Sequence, residues 1–336
     1  MITPRKILVT GAAGFLGSHL VDSLLASGHR ITAVDNLSHG LLRNLEDAQK
    51  NPLFEFRQID ACNLEAMREA AAGAEVVVHL AAFKIPRYGK AIETLLINSQ
   101  GSYNALQVAK EQKAKFVITS TSDVYGKNPD LPFSETSNSV IGPSTVARWS
   151  YAVSKLYDEH LAFAFADAYE MSVTIIRVFG SYGPRQNLSW WGGPQAVFID
   201  AILRGETIPI HGDGQQTRSF TFVSDTVGGI QMAVESEAAN GQILNIGSAH
   251  EISIVNLAKL IHRLSGVKDE LRLRFVPYDE LNGKKYEDVM RRVPDLSKAR
   301  ELLGFRAKVG LEDGLAQTIA WQKAIRVLER DLAEVK

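Results

Sequence analysis

Apolar residues follow two alternating rhythms through the first half of the chain. Short runs rich in β-branched residues read as strands: Ile7–Thr10, Ile31–Asp35, Phe54–Asp60, Val76–Leu80, Phe116–Ser120 and Ser172–Arg177. Between them lie stretches with helical spacing, among them Leu16–Ser27, Leu64–Ala72 and Thr94–Glu111. The run Val76-Val-Val-His-Leu80 is almost continuously apolar, as a strand covered on both faces requires. Strand–helix alternation of this kind predicts right-handed βαβ units. The expected fold class is therefore α/β, a Rossmann-type doubly wound parallel sheet.

After about Gly180 the texture changes. Gly and Pro cluster in Tyr182-Gly-Pro184, Gly192-Gly-Pro194 and Gly212-Asp-Gly214, and the periodic segments become short and mixed. This predicts a smaller mixed lobe over the strand ends. Phe222–Ser236 and Ile243–Gly247 are expected to return to the first part. The predicted division is thus discontinuous: 1–180 with segments near 222–247, and mainly 181–336. A final amphipathic helix is expected over roughly Leu311–Val327.

Composition narrows the partners. Net charge is −1, so nothing suggests a nucleic-acid tail. No apolar run is long enough to span a bilayer. The N-terminus runs into a strand-like segment without a signal-peptide layout, and a soluble cytoplasmic protein is the expectation. Cys62 is the single cysteine, which rules out an internal disulfide and a Cys-rich zinc site, and no metal is expected.

Gly11-Ala-Ala-Gly14-Phe-Leu-Gly17 follows the first strand and opens a helix. Gly11 permits a tight turn, Gly14 lets backbone approach a pyrophosphate, and Gly17 lets helix and strand pack closely. The phosphates would meet free N–H groups at the positive end of the helix dipole. Asp35 ends the second strand, where a carboxylate accepts hydrogen bonds from the adenosine ribose and repels a 2′-phosphate. No Arg follows immediately, so NAD is expected rather than NADP. Asp60 ends the third strand and reads either as an adenine contact or as a turn former.

Tyr151-Ala-Val-Ser-Lys155 places two functional side chains on one helix face. An ammonium and a nicotinamide cation would both lower the tyrosine pKa, and Tyr151 could then take a proton from a sugar hydroxyl. Such a pair is common on helix surfaces. Its place, some thirty residues after Ser120-Thr-Ser-Asp-Val-Tyr-Gly126 and behind a nucleotide fingerprint, favours chemistry. Thr121 offers a hydroxyl that can share this proton, or one that bonds local backbone.

At these residues the chain resembles the extended short-chain dehydrogenase/reductases that modify nucleotide sugars, of which UDP-glucose 4-epimerases are the best-known members. The resemblance spans nearly the whole length. It rests on the glycine loop, Asp35-Asn-Leu-Ser38, His79-Leu-Ala-Ala82, Ser120–Gly126, Tyr151 with Lys155, Arg177-Val-Phe-Gly-Ser-Tyr-Gly-Pro-Arg185, Gly212–Phe220 and Arg291-Arg-Val-Pro-Asp295. It implies that NAD is held tightly and regenerated. It places Phe15, Leu16, Asn36, Ser38, Gly40, Ala61 and Leu80 on the cofactor, with Ala81 and Ala82 at the nicotinamide ribose. Lys84 would reach cofactor and substrate, and Asn98 would lie near the nicotinamide pocket. Ser122 and Phe179 would meet substrate, and Arg185, Arg218 and Arg292 would hold the nucleotide diphosphate, for which guanidinium forks suit phosphate. The helices near Thr94–Glu111 and Tyr151–Asp167 would form a four-helix homodimer interface.

Two positions depart from the family pattern. Gly180 stands where an asparagine usually follows Arg-x-Phe, and Asp123 stands where simple epimerases carry a small polar residue. Acidic residues there are typical of decarboxylases and 4,6-dehydratases, although decarboxylases usually carry Glu. Asn138–Pro143 and Ala147-Arg-Trp-Ser-Tyr151 also look like bacterial UDP-glucuronate decarboxylases. Every candidate reaction begins by oxidising C4 of the sugar. The leading expectation is a 4-epimerase on a UDP-hexose, using Thr121, Tyr151 and Lys155. A UDP-glucuronate decarboxylase comes second, because an anionic Asp123 would repel the substrate carboxylate. A dehydratase comes third, since Ser122 replaces its acid. A non-catalytic NAD(P)-binding sensor or scaffold is the remaining class, and the intact Tyr–Lys pair and glycine loop count against it. Trp190-Trp-Gly-Gly193 would stack on sugar or base, or pack as a loop.

Overall fold

The computed structural model describes residues 3–84, 90–278 and 287–334. The chain opens with β1 (Lys6–Thr10), α1 (Phe15–Ala26), β2 (Arg30–Asp35), β3 (Phe54–Gln58), α2 (Leu64–Ala70), β4 (Val76–His79), α3 (Ala91–Gln112), β5 (Lys115–Thr121), α4 (Trp149–Tyr169) and β6 (Val173–Val178). It continues through β7 (Ser181–Tyr182), α5 (Pro194–Leu203), β8 (Ile208–His211), β9 (Thr217–Ser219), β10 (Thr221–Phe222), α6 (Val223–Glu235) and β11 (Gln242–Ile246). Last come β12 (Glu251–Ser253), α7 (Ile254–Ser265), β13 (Leu273–Val276), α8 (Ser297–Leu303) and α9 (Leu311–Glu334).

Seven strands form one parallel sheet in the order β11-β6-β5-β4-β1-β2-β3. Val9 sits opposite Ala33 of β2 on one side and Val78 of β4 on the other. The strand order reverses beside β1, and this reversal opens a crevice at the carboxyl ends of β1 and β4. The strand core is fully buried: Ile7, Leu8, Val9, Val76, Val77 and Val78 have no exposed surface. Burial on both sheet faces explains why these strands read as continuous apolar runs.

The return expected near 243–247 is seen as β11, which pairs with β6 and extends the sheet. The later part holds three two-stranded pairings, β7 with β10, β9 with β12 and β8 with β13. Its helices are longer than the mixed texture suggested, and α9 runs beyond the expected Val327 to Glu334. Glycine clusters broke the periodicity between elements and left the helices themselves intact. One apolar cluster joins the two parts: Ile7, Val9 and Leu24 of the first share it with Phe198, Leu257 and Leu315 of the second.

Polar contacts fix α4 against the sheet. Arg177 of β6 donates to Glu159 through two bonds, at 3.0 and 2.7 Å, and Ser120 of β5 donates to the same carboxylate at 2.5 Å. Both members of the ion pair are about 5 % exposed or less. This anchor sets the height of α4 and so the position of Tyr151, two turns earlier.

Candidate active site

A cavity of about 1060 Å³ follows the crevice from the glycine loop to the later lobe. Gly11 leaves β1 with φ +67°, and a Cβ there would lie 2.8 Å from the Ala81 nitrogen. Backbone after β1 and backbone after β4 are therefore in contact. A Cβ on Gly17 would collide with the Gly11 carbonyl, so α1 can pack this close only with glycine there. Gly14 starts α1 with no side-chain cap, and Phe15, Leu16 and Gly17 line the cavity. The first-turn N–H groups are thus available to an anion.

Asp35 is anchored at the end of β2. Its Oδ2 accepts the Ala13 N–H at 3.0 Å and its Oδ1 accepts the Leu37 N–H at 2.8 Å. Burial pushes its pKa up, and these N–H groups draw it back. Asn36 donates to Asp60 at 3.0 Å, and Asp60 accepts the Cys62 N–H at 2.8 Å. Asp60 therefore forms a turn and still lines the cavity. Ser38, Gly40, Ala61, Leu80, Ala81 and Ala82 also line it. So does Lys84, whose Nζ donates to the Trp191 carbonyl at 3.3 Å. Trp191 in turn stacks on His39, with centroids 4.1 Å apart, and meets the edge of Phe83 at 5.2 Å. Trp190 stacks on His211 at 4.4 Å. Both tryptophans pack against protein rings while facing the cavity.

At the other end, Thr121 closes β5 and Tyr151 lies in the first turn of α4, both on the cavity wall. The Thr121 hydroxyl accepts the Asp123 N–H at 3.2 Å, which is the local bond weighed above, and its own proton is left to donate. Phe179 lines the cavity from within a small cluster with Tyr125 and Phe133, and is only 1 % exposed. The Ser122 hydroxyl accepts from Arg292 at 3.4 Å.

The Tyr–Lys pair divides between the cavity wall and the interior. Lys155 is buried, does not line the cavity, and donates to Asp158 at 2.9 Å. The Tyr151 phenol is pushed above its ordinary pKa, first by burial and then by Asp123 and Asp158. Sequence spacing showed the lysine but not Asp158. Asn98 does not itself line the cavity. It lies behind the wall, with its amide accepting from Phe83 N–H at 2.7 Å and donating to Phe83 O and Ser154. Its capacity is committed to shaping the segment after β4. Arg185 lines the cavity with Arg218 and Arg292 and pairs with Asp22 of α1 at 2.6 Å.

Arg218 and Arg292 do converge, through a cluster that sequence reasoning did not assemble. Arg292 contacts Asp123 at 2.6 Å, and Arg148 contacts the same oxygen at 3.4 Å. Arg148 and Arg218 meet Asp288 at 3.3 and 2.8 Å. Among the described residues, three guanidiniums face two carboxylates here. Burial alone would raise Asp123, but Arg292, Arg148 and Arg218 hold it below the usual carboxylate range. Asp123 is therefore held as an anion, with its charge compensated by the guanidiniums around it. Arg148 stands one turn before Tyr151, a spacing that could have signalled it; Asp288 had no local signal at all. Gly180 is also explained. Its φ is +43° and a Cβ would collide with the Ser219 carbonyl, so the asparagine of the usual pattern does not fit this backbone.

A glycine loop at the strand reversal, a carboxylate closing the second strand and a Tyr–Lys helix beside an arginine cluster fit the class of NAD-dependent enzymes that modify nucleotide sugars. The chain belongs to the extended short-chain dehydrogenase/reductase, NAD-dependent nucleotide-sugar epimerase/dehydratase family; the family model described as GDP-mannose 4,6 dehydratase matches residues 8–318. It is 38 % identical over 324 residues to the UDP-N-acetyl-alpha-D-glucosaminuronate decarboxylase of Bacillus cytotoxicus, covering 96 % of this chain and 98 % of that one. It is 33 % identical to the UDP-glucose 4-epimerase of Mycolicibacterium smegmatis, covering 94 % and 97 %. Among solved structures, the UDP-glucuronic acid 4-epimerase of Bacillus cereus, in complex with UDP-glucuronic acid and NAD, superposes with a TM-score of 0.85 at 30 % identity. That match covers 95 % of this chain and 99 % of the other. The chain is thus a nucleotide-sugar-modifying enzyme of this family.

Proposed function

We propose that this chain is an NAD-dependent decarboxylase of a UDP-linked uronic acid, and that its cofactor half is 1–180 with the 222–247 return. The carrying observation is the convergence of Arg148, Arg218 and Arg292 on Asp123 and Asp288, on the cavity wall they share with Tyr151. A diphosphate and a sugar carboxylate both gain there from charge-assisted hydrogen bonds. The likeness to the Bacillus cytotoxicus decarboxylase supports the same reading.

The residues present fit NAD. The glycine turn leaves no room for side chains, and Asp35 keeps acceptor capacity beyond its two backbone bonds. Held by the glycine turn and Asp35, NAD would supply hydride exchange at C4 and a positive charge near the phenol. Tyr151 takes the proton of the C4 hydroxyl, with Thr121 sharing that hydrogen bond. The carboxylate at C6 is then β to a ketone. Its C5–C6 electron pair moves into the C4–C5 enolate as carbon dioxide departs. A proton taken up at C5 completes the exchange, and Ser122 is the candidate donor. Arg148 would hold the carboxylate, and Arg218 and Arg292 the diphosphate.

A 4-epimerase acting on the same uronate is the second reading. It is favoured by the likeness to the Bacillus cereus epimerase and by Asp123 in place of the glutamate usual in decarboxylases. A homodimer through α3 and α4 belongs to the proposal, because Ile92, Leu96, Val153, Tyr157 and Tyr169 are all exposed on these helices. Incubation with NAD and, separately, UDP-glucose, UDP-N-acetylglucosamine and UDP-glucuronate tests the function by mass spectrometry. Loss of carbon dioxide from the uronate alone is expected; an unchanged mass with inverted C4 would make it an epimerase.

A further inference from the structure

The buried Lys155–Asp158 pair lies inside α4, and Asp158 has no part in the reaction described above. Lys155 and Asp158 are 2.9 Å apart, and their side chains are 2 % and 0 % exposed. Tyr151, Lys155 and Asp158 stand at helix spacings of four and three, so all three share one face. A lone buried charge of either sign would be strongly disfavoured, which accounts for the contact. The pairing also places a carboxylate next to the ammonium on which Tyr151 relies.

The other charged groups around this pair are already engaged. On β4, His79 faces Lys155; its Nδ1 meets the Thr10 hydroxyl at 2.8 Å, and burial pushes its pKa down to about 3. Glu159, the next residue on α4, is held by Arg177 and Ser120. Asp123, after β5, acts on Tyr151 and is held by Arg148 and Arg292, with Arg218 and Asp288 behind them. Ser102 of α3 packs toward Asp158 and adds no charge.

We propose that Asp158 is a positioning residue that pins the Lys155 ammonium and offsets part of its pull on the Tyr151 phenol. This rests on the reading of Tyr151 as proton acceptor. An anion near a phenol disfavours phenolate, so Asp158 acts in the same direction as burial. Asp158→Asn keeps the shape and an acceptor for Lys155 but removes the charge. One of the two carboxylates that oppose ionisation of the phenol is then gone, and tyrosine ionises at lower pH.

The test uses NAD-loaded wild type, Asp158→Asn and Tyr151→Phe. Tyrosinate absorbance is followed against pH, with the Tyr151→Phe curve subtracted to isolate Tyr151. The pH–rate profile with UDP-glucuronate is recorded alongside. In Asp158→Asn both the phenol titration and the acid limb of kcat should move down by about one pH unit, with KM changed less than about twofold. Asp158→Glu, which restores the charge, should return both toward wild type. Asp158→Ser carries the same expectation as the asparagine variant should that one not fold. A folded, neutral variant with unmoved titration and acid limb would overturn the proposal. Turnover retained in Tyr151→Phe would instead overturn the Tyr–Lys reading, so the two failures are distinguishable.

Discussion

The environment of Tyr151 is divided between groups that oppose its ionisation and groups that promote it. Burial, Asp123 and Asp158 push the phenol up, while a neighbouring ammonium or a nicotinamide cation would act the other way. The tyrosine and lysine were legible from spacing and from their distance to the strand ending at Thr121. Asp123 was legible as an unusual acid after the fifth strand, whereas Asp158 was not, because it matters through where its side chain points. Arg148 illustrates the same limit. It lies one turn before Tyr151, yet its role emerges only once Asp123 and Asp288 are beside it. If it holds a sugar carboxylate, Arg148→Leu should lower kcat/KM for UDP-glucuronate by about 10- to 100-fold, the size of one lost charge-assisted bond. NAD affinity, measured by calorimetry on the same variant, should be unchanged. An equal loss toward UDP-glucose would place Arg148 on the diphosphate instead.

At the scale of elements, the first six strands and their helices were readable, with ends shifted by a few residues. Ser172–Arg177, for example, became Val173–Val178 once β5 set the register. The later elements were harder because glycine turns interrupt them, and β7 and β10 are only two residues long, defined by pairing to each other. The helices α3 and α4 carry a different kind of information. Their inner faces pack together through the Asn98–Ser154 bond and the Tyr103–Phe165 contact. Their outer faces expose Ile92, 67 %, and Leu96, 62 %, alongside Tyr157. An apolar face of this kind suits a second copy. The double variant Leu96→Asp, Tyr157→Asp should sediment as a monomer where wild type sediments as a dimer; an unchanged sedimentation coefficient would remove this face from the interface.

For the whole molecule, the cluster that forms the site also joins the two parts of the chain. Asp123 and Arg148 come from the sheet half, while Arg218, Asp288 and Arg292 come from the later lobe. Burial opposes both carboxylates, but the arginines hold Asp123 and Asp288 below their ordinary value of 3.8. Because the folded values lie below the unfolded ones, their stabilisation is complete above that value and is lost as pH falls beneath it. Thermal unfolding followed by calorimetry should therefore lose stability below about pH 4, and less steeply in Asp123→Asn. Equal slopes in the two proteins would show that Asp123 does not link the halves.

The central claim is that this cavity removes a carboxylate from a nucleotide-linked sugar. UDP-glucuronate isotopically labelled at C6, incubated with the NAD-loaded protein and followed by carbon NMR, tests it most directly. The label is predicted to leave the sugar and appear as carbon dioxide and bicarbonate. A label that stays in the nucleotide sugar, with C4 inverted, would contradict the account and make the chain an epimerase.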